Sequence, residues 1–452
     1  MKKYAQFNYK EDITMTYPKQ VKAYLWGDIS EMSQNPGRFA KNPDADFTRK
    51  RKLDFENLMR FFISMQSGTT AHELLKYFEY DTNTISNSAF YQQRQKLLPS
   101  AFSYLLRRFN SHFPLALYKG KYNLVGCDGC EFNIARNPDD TDTFHTPNGK
   151  STMGFNMLHA TSLYDILSKR YLDCVIQPGR KKNEFRAICD LVDRYSYGGF
   201  PIFIADRGFS SYNFFAHAKE NGFLFMLRAK DLNVRRLLDL QTLPTFLDSR
   251  AEIILTRSQS KKKRLRPDLA ELYRYISTKV AFDYIAPGAS EEYPLSLRIV
   301  RIEVAEGVFE NIITNLPESE FPPDEIMHIY HLRWNIETSF RDLKHTIGAT
   351  NFHSKKTNYI EQEIWARLIL FNFCAAITTH IVIVQKKTKH IYQVNFSMAM
   401  KICHHFLRLR NHDPSLDVEA LIGSYILPIR LGRNYTRQHR FQLPASFCYR
   451  FS

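Results

Sequence analysis

Two aspartates in this chain stand where a carboxylate is costly, and one glutamate stands alone among cations. Asp128 interrupts the apolar alternation of "YNLVGCDGCEFNIA", and Asp206 closes the apolar run "FPIFIA" and opens the turn "DRGF". Glu337 stands alone within the basic stripe of "IYHLRWNIETSFRDLKHT", residues 329 to 346. On a helix of 100° per residue, Tyr330, Arg333, Glu337, Arg341 and Lys344 fall within roughly 80° of one another. Leu332, Ile336, Phe340, Leu343 and Ile347 fill the opposite side as a core stripe. A carboxylate in or ending a core strand needs a compensating partner, and either aspartate taken singly reads as a capped structural residue. In an open sheet, however, ligands gather outside strand ends, and neighbouring carboxylates are how Mg²⁺ is held.

Glu337 adds a third acid. Three acids in one cleft repel unless divalent cations neutralise them. Two such ions about 3.5–4 Å apart activate a water and stabilise the leaving oxygen of a phosphodiester. The basic neighbours then have a use, since Arg333, Arg341, Lys344 and the Tyr330 hydroxyl can grip phosphates on both sides of the scissile bond. The alternative is a salt-bridge ladder: Glu337 with Arg333 and with Arg341 are both i,i±4 pairs, worth some tenths of a kcal/mol, roughly 0.2–0.5. The helix alone favours that ladder.

The elements that must position these residues change character along the chain. Residues 1–118 read as an N-terminal helical, DNA-binding domain: "TRKRKLDFENLMRFFISM" takes up helical periodicity with Asp54 as N-cap. "TISNSAFYQQRQKLLPSAFSYLLRRFNSHF" gives two short helices broken at Pro99, whose Arg94, Arg107 and Arg108 either dock on DNA or form a solvated face. From 119 to 230, three strands in meander are followed by helix, strand, helix and strand, which predicts a mixed sheet covered by helices. Residues 231–310 are strand-rich, with "AEIILTR", "LYRYISTKVAFDY", "LSLRIVRIEV" and "VFENIITNL" separated by basic connectors. In the connector "SQSKKKRLRP", the density of Lys261, Lys262, Lys263, Arg264 and Arg266 favours a nucleic-acid contact over a flexible solvated loop. Residues 311–385 hold the Glu337 helix, with Pro322 and Pro323 tolerated in its opening turn, followed by further helical sequence. Residues 386–452 form a helical and basic C-terminal region.

Composition agrees with a folded, DNA-facing protein. An apolar fraction of 44% over 452 residues is enough for a full-sized core. The net charge of +16 points to a polyanionic partner, nucleic acid before an acidic membrane surface, although many basic proteins bind neither. The seven cysteines are scattered and odd in number, which fits a reducing compartment. Cys127 and Cys130 make one C-x-x-C without the second pair that a zinc site needs, and "ICHHF" around Cys403 is a poor substitute. No apolar segment follows the charged start "MKKYAQFNYK", and "LILFNFCAAITTHIVIV" reads as a buried core helix. The expectation is a soluble intracellular protein without membrane association.

Tyr330, Arg333, Glu337 and Lys344 reproduce a Y-x2-R-x3-E-x6-K pattern, and with it the chain resembles the DDE transposases of insertion-sequence family four. "CDGCEFNI" resembles that family's first catalytic Asp strand, and "IADRGFSS" its second. The resemblance runs over roughly residues 84 to 440. It implies a ribonuclease-H-like mixed sheet with flanking helices, interrupted by the β-rich block 231–310. It also implies metal-dependent cleavage at transposon ends and joining of the freed 3′-hydroxyl to target DNA, with Asp128, Asp206 and Glu337 holding two Mg²⁺ or Mn²⁺ ions. Tyr330, Arg333 and Lys344 would anchor DNA, with His159, Arg207 and Arg341 nearby. The implied partners are double-stranded DNA, as terminal inverted repeats and target, and a second copy in a homodimer on paired ends. The implied location is the cytoplasm of a prokaryotic-type cell, at the nucleoid. One departure stands out. Relatives stack a Trp of the β-rich block on a flipped base, whereas Trp26, Trp334 and Trp365 all lie outside that block, leaving Tyr273, Tyr275 or Tyr284 to stack. Three rivals remain: a hydrolytic nuclease on the same fold, a non-catalytic transposase-derived DNA-binding protein, and recombination through Tyr330 as nucleophile.

Overall fold

The computed structural model describes residues 15–149, 151–258, 272–383, 385 and 390–429. These fall into two compact units, one of residues 15–112 with 369–429 and one of residues 113–368.

The first unit is helical. Its opening helices are α1 (Tyr17–Ser33), α2 (Phe55–Ser64), α3 (Thr70–Tyr77), α4 (Asn87–Lys96) and α5 (Ser100–Asn110), joined later in the chain by helices Phe396–Arg408 and Val418–Ser424. Asp54 caps α2 as expected, its carboxylate accepting from the Asn57 N–H at 2.9 Å. Pro99 separates α4 from α5. The arginines of this pair do not behave as a single exposed face. Arg94 is fully buried, its guanidinium 5.0 Å from the Phe62 ring centre and 5.7 Å from that of Phe90. Arg108 is tied to Asp28 at 3.3 Å and Glu31 at 2.8 Å. Arg107 is exposed.

The second unit is built on one large mixed sheet. β1 (Tyr122–Ile134), β3 (Phe155–Asp165) and β4 (Arg170–Pro178) form an antiparallel meander, with the short β2 (Phe144–His145) on β3. β5 (Phe200–Ala205) runs parallel to β1, and β6 (Leu224–Ala229) parallel to β5. The crossovers are α6 (Glu184–Asp193) and α7 (Tyr212–Glu220), the latter capped by the Ser211 hydroxyl. Strands that are buried on both faces need near-continuous apolar sequence, and "FPIFIA" and "LFML" supply it. Phe203, Phe214 and Phe225 are each fully or almost fully buried in the resulting core, where each ring contributes on the order of 1.5–3 kcal/mol.

The strand-rich block extends this same sheet. β10 (Val308–Thr314) pairs antiparallel with β6, then β9 (Glu292–Ala305), β7 (Leu247–Thr256) and β8 (Tyr273–Tyr275) follow outward. Of "LYRYISTKVAFDY", only Tyr273–Tyr275 is strand; the rest turns over the buried Arg257, which donates to the carbonyls of Ser277, Val280, Phe282 and Ile285 at 2.8–3.3 Å. The connector with Lys261, Lys262, Lys263 and Arg264 lies outside the described residues, as does the basic tail.

Helix Thr357–His380 contains most of the apolar run from Leu368, and Leu368, Phe373 and Ile377 are buried as a core helix requires. No helix of the described residues is long and apolar enough to cross a membrane.

Candidate active site

Strand register sets the two aspartates side by side. Cys127 of β1 pairs with Ala205 of β5 in parallel, so Asp128 and Asp206 are the next residues on strands that neighbour at about 4.8 Å. β5 ends there, and a single 3₁₀ turn, Arg207–Phe209, carries the chain away.

The third acid arrives on an interrupted helix. Helix Pro323–Leu332 starts on Pro323 and carries Tyr330; the helical count breaks at Arg333, and helix Trp334–Arg341 carries Glu337. Asp342–Thr346 then forms one π turn, which inserts a residue into the helical count. Residues 329 to 346 are thus not the single regular helix that the spacing predicts. The polar stripe is not a solvent face either. Tyr330 and Arg333 are only 2% and 5% exposed, whereas Arg341 is exposed and Leu332 is half-buried rather than core.

Arg333 and Tyr330 link the three acids. The Arg333 guanidinium lies 3.5 Å from Asp128 Oδ2 and donates to Glu337 Oε1 at 2.9 Å. The Tyr330 hydroxyl donates to Asp206 Oδ1 at 3.4 Å. Asp128 Oδ1 also accepts the N–H of Gly129 at 2.8 Å. Burial lifts the Asp128 carboxyl to about 6; the Gly129 N–H and Arg333 pull it down, and the charges of Glu337 and Asp206 push it up. Burial likewise raises the Tyr330 phenol far above its usual range, which makes it a poor nucleophile at neutral pH. Among the described residues no group of three or more His, Cys, Asp or Glu side chains stands at metal-ligand spacing. The guanidinium supplies the countercharge instead, and the i,i+4 pair of Arg333 with Glu337 is the rung of the ladder that forms. The donor set is all carboxylate oxygen, the chemistry of a hard divalent cation.

The remaining candidates divide. Lys344 Nζ lies 5.6 Å from the Phe132 ring centre and so sits against β1. Arg207 is exposed in the turn after Asp206. His159 is on the wrong side. A Cβ at Gly126 would meet Ile336 of the Glu337 helix, whereas one at Gly129 would stand 2.7 Å from the His159 ring. Alternate residues of a strand face opposite sides, so Asp128 shares the face of Gly126 and His159 lies beneath the other, its Nε2 2.8 Å from Glu184 Oε1. Cys127 and Cys130 are buried free thiols, and burial pushes Cys130 up to about 11, which opposes thiolate–metal chemistry.

Of the three tyrosines named as stacking candidates, Tyr275 is exposed, Tyr273 donates to Glu292 at 3.3 Å, and Tyr284 packs on His217 and Phe282. Tyr275 borders a cavity of about 730 Å³ with Phe185, Arg186, Tyr212, Arg236 and Arg274, which no spacing in the sequence announces. Sequence reasoning also missed the buried His217, held between Asp193 at 2.8 Å and Asp283 at 2.9 Å.

Residues 122–373 match the family described as Transposase DDE domain. The chain is similar to the transposase InsG for insertion sequence element IS4 of Escherichia coli (strain K12), with 30% identity over 89 residues. That alignment takes in 19% of this chain and spans only 20% of the relative. Among solved structures it is similar to the cryo-EM structure of a piggyBac transposase synaptic complex with hairpin DNA. There the identity is 13%, with 93% of this chain and 87% of the other covered, at a TM-score of 0.39.

Proposed function

The chain belongs to the Transposase DDE domain family, in its IS4 type, and from that premise we propose that it cuts double-stranded DNA at the ends of a transposable element and joins the freed 3′-hydroxyl to target DNA. The reading takes the meander β1, β3 and β4, followed by the parallel β5 and β6, as a ribonuclease-H-like core. It takes residues 1–118 as a DNA-binding domain, 119–230 and 311–385 as the two parts of the catalytic domain, 231–310 as its β-rich insertion, and 386–452 as a basic C-terminal region. The observation that carries it is the convergence of Asp128, Asp206 and Glu337 around Arg333 and Tyr330.

In this reading Asp128, Asp206 and Glu337 are the ligands of two Mg²⁺ or Mn²⁺ ions, which when bound supply the charge that activates the attacking oxygen and stabilises the leaving one. The raised Asp128 carboxyl supports it, because burial together with two like charges leaves negative charge that a cation would compensate. In the first step a water oxygen bonds to phosphorus as the 3′-oxygen leaves with a proton. In the second that 3′-hydroxyl bonds to a target phosphorus and a target oxygen leaves, so each step makes and breaks one P–O bond. Arg333 orients Asp128 and Glu337, and the buried Tyr330 hydroxyl orients Asp206 rather than reaching a phosphate as the resemblance implied, while Lys344, Arg207 and Arg341 hold flanking phosphates. Tyr275, beside its basic cavity, takes the stacking role among the three tyrosines. The protein would act as a homodimer on paired ends, at the nucleoid of a prokaryotic-type cell.

The test is incubation of purified protein with duplexes carrying the inverted repeats that flank the coding region, a target plasmid and Mn²⁺. Wild type should yield nicked ends and joined product. Asp128→Asn and Glu337→Gln should abolish cleavage while end binding stays within a few-fold. Cleavage without joining would make the protein a nuclease, and binding without cleavage a non-catalytic relative. Parallel loss of binding in both variants would end the metal-ligand assignment.

A further inference from the structure

In the helical unit, α4 turns an uncharged face outward, which is unusual for a chain of net charge +16. Its rotation is fixed from inside. Phe90 meets Phe61 edge-on at 5.2 Å, Arg94 is buried over Phe62, and Gln93 and Leu97 are buried beside them. At 100° per residue, Asn87, Tyr91, Gln95, Ser88 and Gln92 then span a continuous arc of about 140°. Asn87, Ser88, Gln92 and Gln95 are exposed, and Tyr91 is half-buried with its hydroxyl 3.3 Å from that of Thr70 on α3. Amide side chains make bidentate hydrogen bonds to adenine in the major groove, and hydroxyls bond to any base. A helix of ten residues is about 15 Å long and enters a groove about 12 Å wide.

The charges that such a docking needs lie on the segment tied to the turn that leads into α4. Arg49, Lys50 and Arg51 are exposed. The next residue, Lys52, is anchored in the α3–α4 connection, its ammonium donating to Asp81 Oδ2 at 3.0 Å and to the Asn83 carbonyl at 2.9 Å. The basic run is thereby pinned beside the segment that leads into α4. The acids of that connection are already matched, Asp81 by Lys52 and Glu79 by Arg410 at 2.6 Å. The connection itself, residues 78–86, is longer than the three- or four-residue turn of a compact helix-turn-helix. Its shape is set by left-handed Glu79 and Tyr80 and by the Tyr80 N–H donating to the Leu75 carbonyl at 2.7 Å.

We propose that α4 reads base sequence in the major groove of duplex DNA, with Asn87, Ser88, Gln92 and Gln95 on base edges and Arg49, Lys50 and Arg51 on the flanking phosphates. This rests on the DNA-processing reading above and names the part of the chain that selects the DNA. Base contacts specify while phosphate contacts position, so the two groups have separable effects.

The experiment is selection from a randomised duplex library by the full chain, followed by titration of the selected duplex and a scrambled one at several salt concentrations. Wild type should enrich one motif. Asn87→Ala, Gln92→Ala and Gln95→Ala should each relax selection at particular positions, with tenfold or greater loss on the selected duplex and no more than about twofold on the scrambled one. Arg49→Ala/Lys50→Ala/Arg51→Ala should weaken both duplexes alike and reduce the slope of log K against log salt by about 2–3. All these positions are exposed, and Gln to Ala favours helix, so thermal melts should match wild type. The proposal is overturned if wild type enriches no motif, or if the α4 variants enrich the same motif with unchanged affinity. Asp128→Asn should select the wild-type motif. Wild type that enriches a motif but cleaves no duplex carrying it in Mn²⁺ would strike the catalytic reading and leave this one standing.

Discussion

Arg333 joins Asp128, on a central strand, to Glu337, one helical turn further along its own segment: the guanidinium lies 3.5 Å from one carboxylate and 2.9 Å from the other. A buried arginine between two acids is a countercharge, and removing it leaves three carboxylates to repel one another. Because Asp128 and Glu337 keep some solvent contact, with side chains 22% and 35% exposed, the loss should fall below that of a fully buried pair, at about 1–3 kcal/mol. Arg333→Ala should therefore melt early in EDTA, and Mn²⁺ should raise its melting temperature more than it raises that of wild type. An equal loss with and without Mn²⁺ would mean that the arginine is not compensating the acids.

The Asp128 carboxyl, lifted from 3.8 to about 6 chiefly by burial, makes a separate prediction for the metal-free protein. The folded state binds this proton more tightly than the unfolded state, so stability from this group falls as pH rises from about 4 to 6 and stays low above. That displacement corresponds to about 3 kcal/mol. Asp128→Asn should thus be the more stable protein at pH 8 in EDTA, with the gap closing as pH falls through 6 towards 4. Urea melts at the two pH values measure it. A gap that does not change with pH would remove the burial argument.

Much of the frame was legible because its signals are strong and local. Alternation marked β1, an unbroken apolar run marked β5, and Asp54 announced the helix start that it caps. Asp128 and Asp206 were legible as acids in the wrong place. The details around Glu337 were not, for a physical reason. Periodicity assigns a helix's polar side to solvent, but this helix lies with one flank on the sheet and the other on the acids, so Tyr330 and Arg333 are buried by partners distant in sequence. The π turn at Asp342 shifts the later positions without any mark in composition. His159 sits on a strand adjacent to β1, yet which face it takes depends on a register that the sequence does not spell out. Arg94 defeated both readings of its helix pair, as a DNA contact or a solvated face, since its partners are the buried rings of Phe62 and Phe90.

Gly129 is required by the His159 ring. A Cβ there would stand 2.7 Å from His159 Cε1 and Nε2 and 2.8 Å from Glu184 Oε1, and the ring is buried. Gly129→Ala should destabilise by about 1–3 kcal/mol through overpacking. Combining it with His159→Ala should recover part of the loss, giving a double-mutant cycle with a coupling energy of the order of 1 kcal/mol. Additive effects would show that the clash is relieved elsewhere. End cleavage by the His159→Ala protein at a temperature where it is folded should persist, because the imidazole faces away from the acids.

Arg257 organises the turn that follows β8. Its guanidinium donates to the carbonyls of Ser277, Val280, Phe282 and Ile285, so removing it leaves those acceptors to water and frees the segment that carries Val280 and Asp283 at the rim of the 730 Å³ cavity. Asp283 is also one of the two acids holding His217, which couples the turn to α7. Arg257→Ala should open this segment locally before the sheet unfolds. Limited proteolysis should then cut between residues 276 and 287 at temperatures where wild type resists, while the amides of β1 and β5 keep their protection in hydrogen exchange. Arg257→Lys should be nearly as susceptible, because a single ammonium cannot span acceptors arranged for a planar fork. Cleavage sites and exchange profiles identical to wild type would show that the turn holds its shape without the arginine.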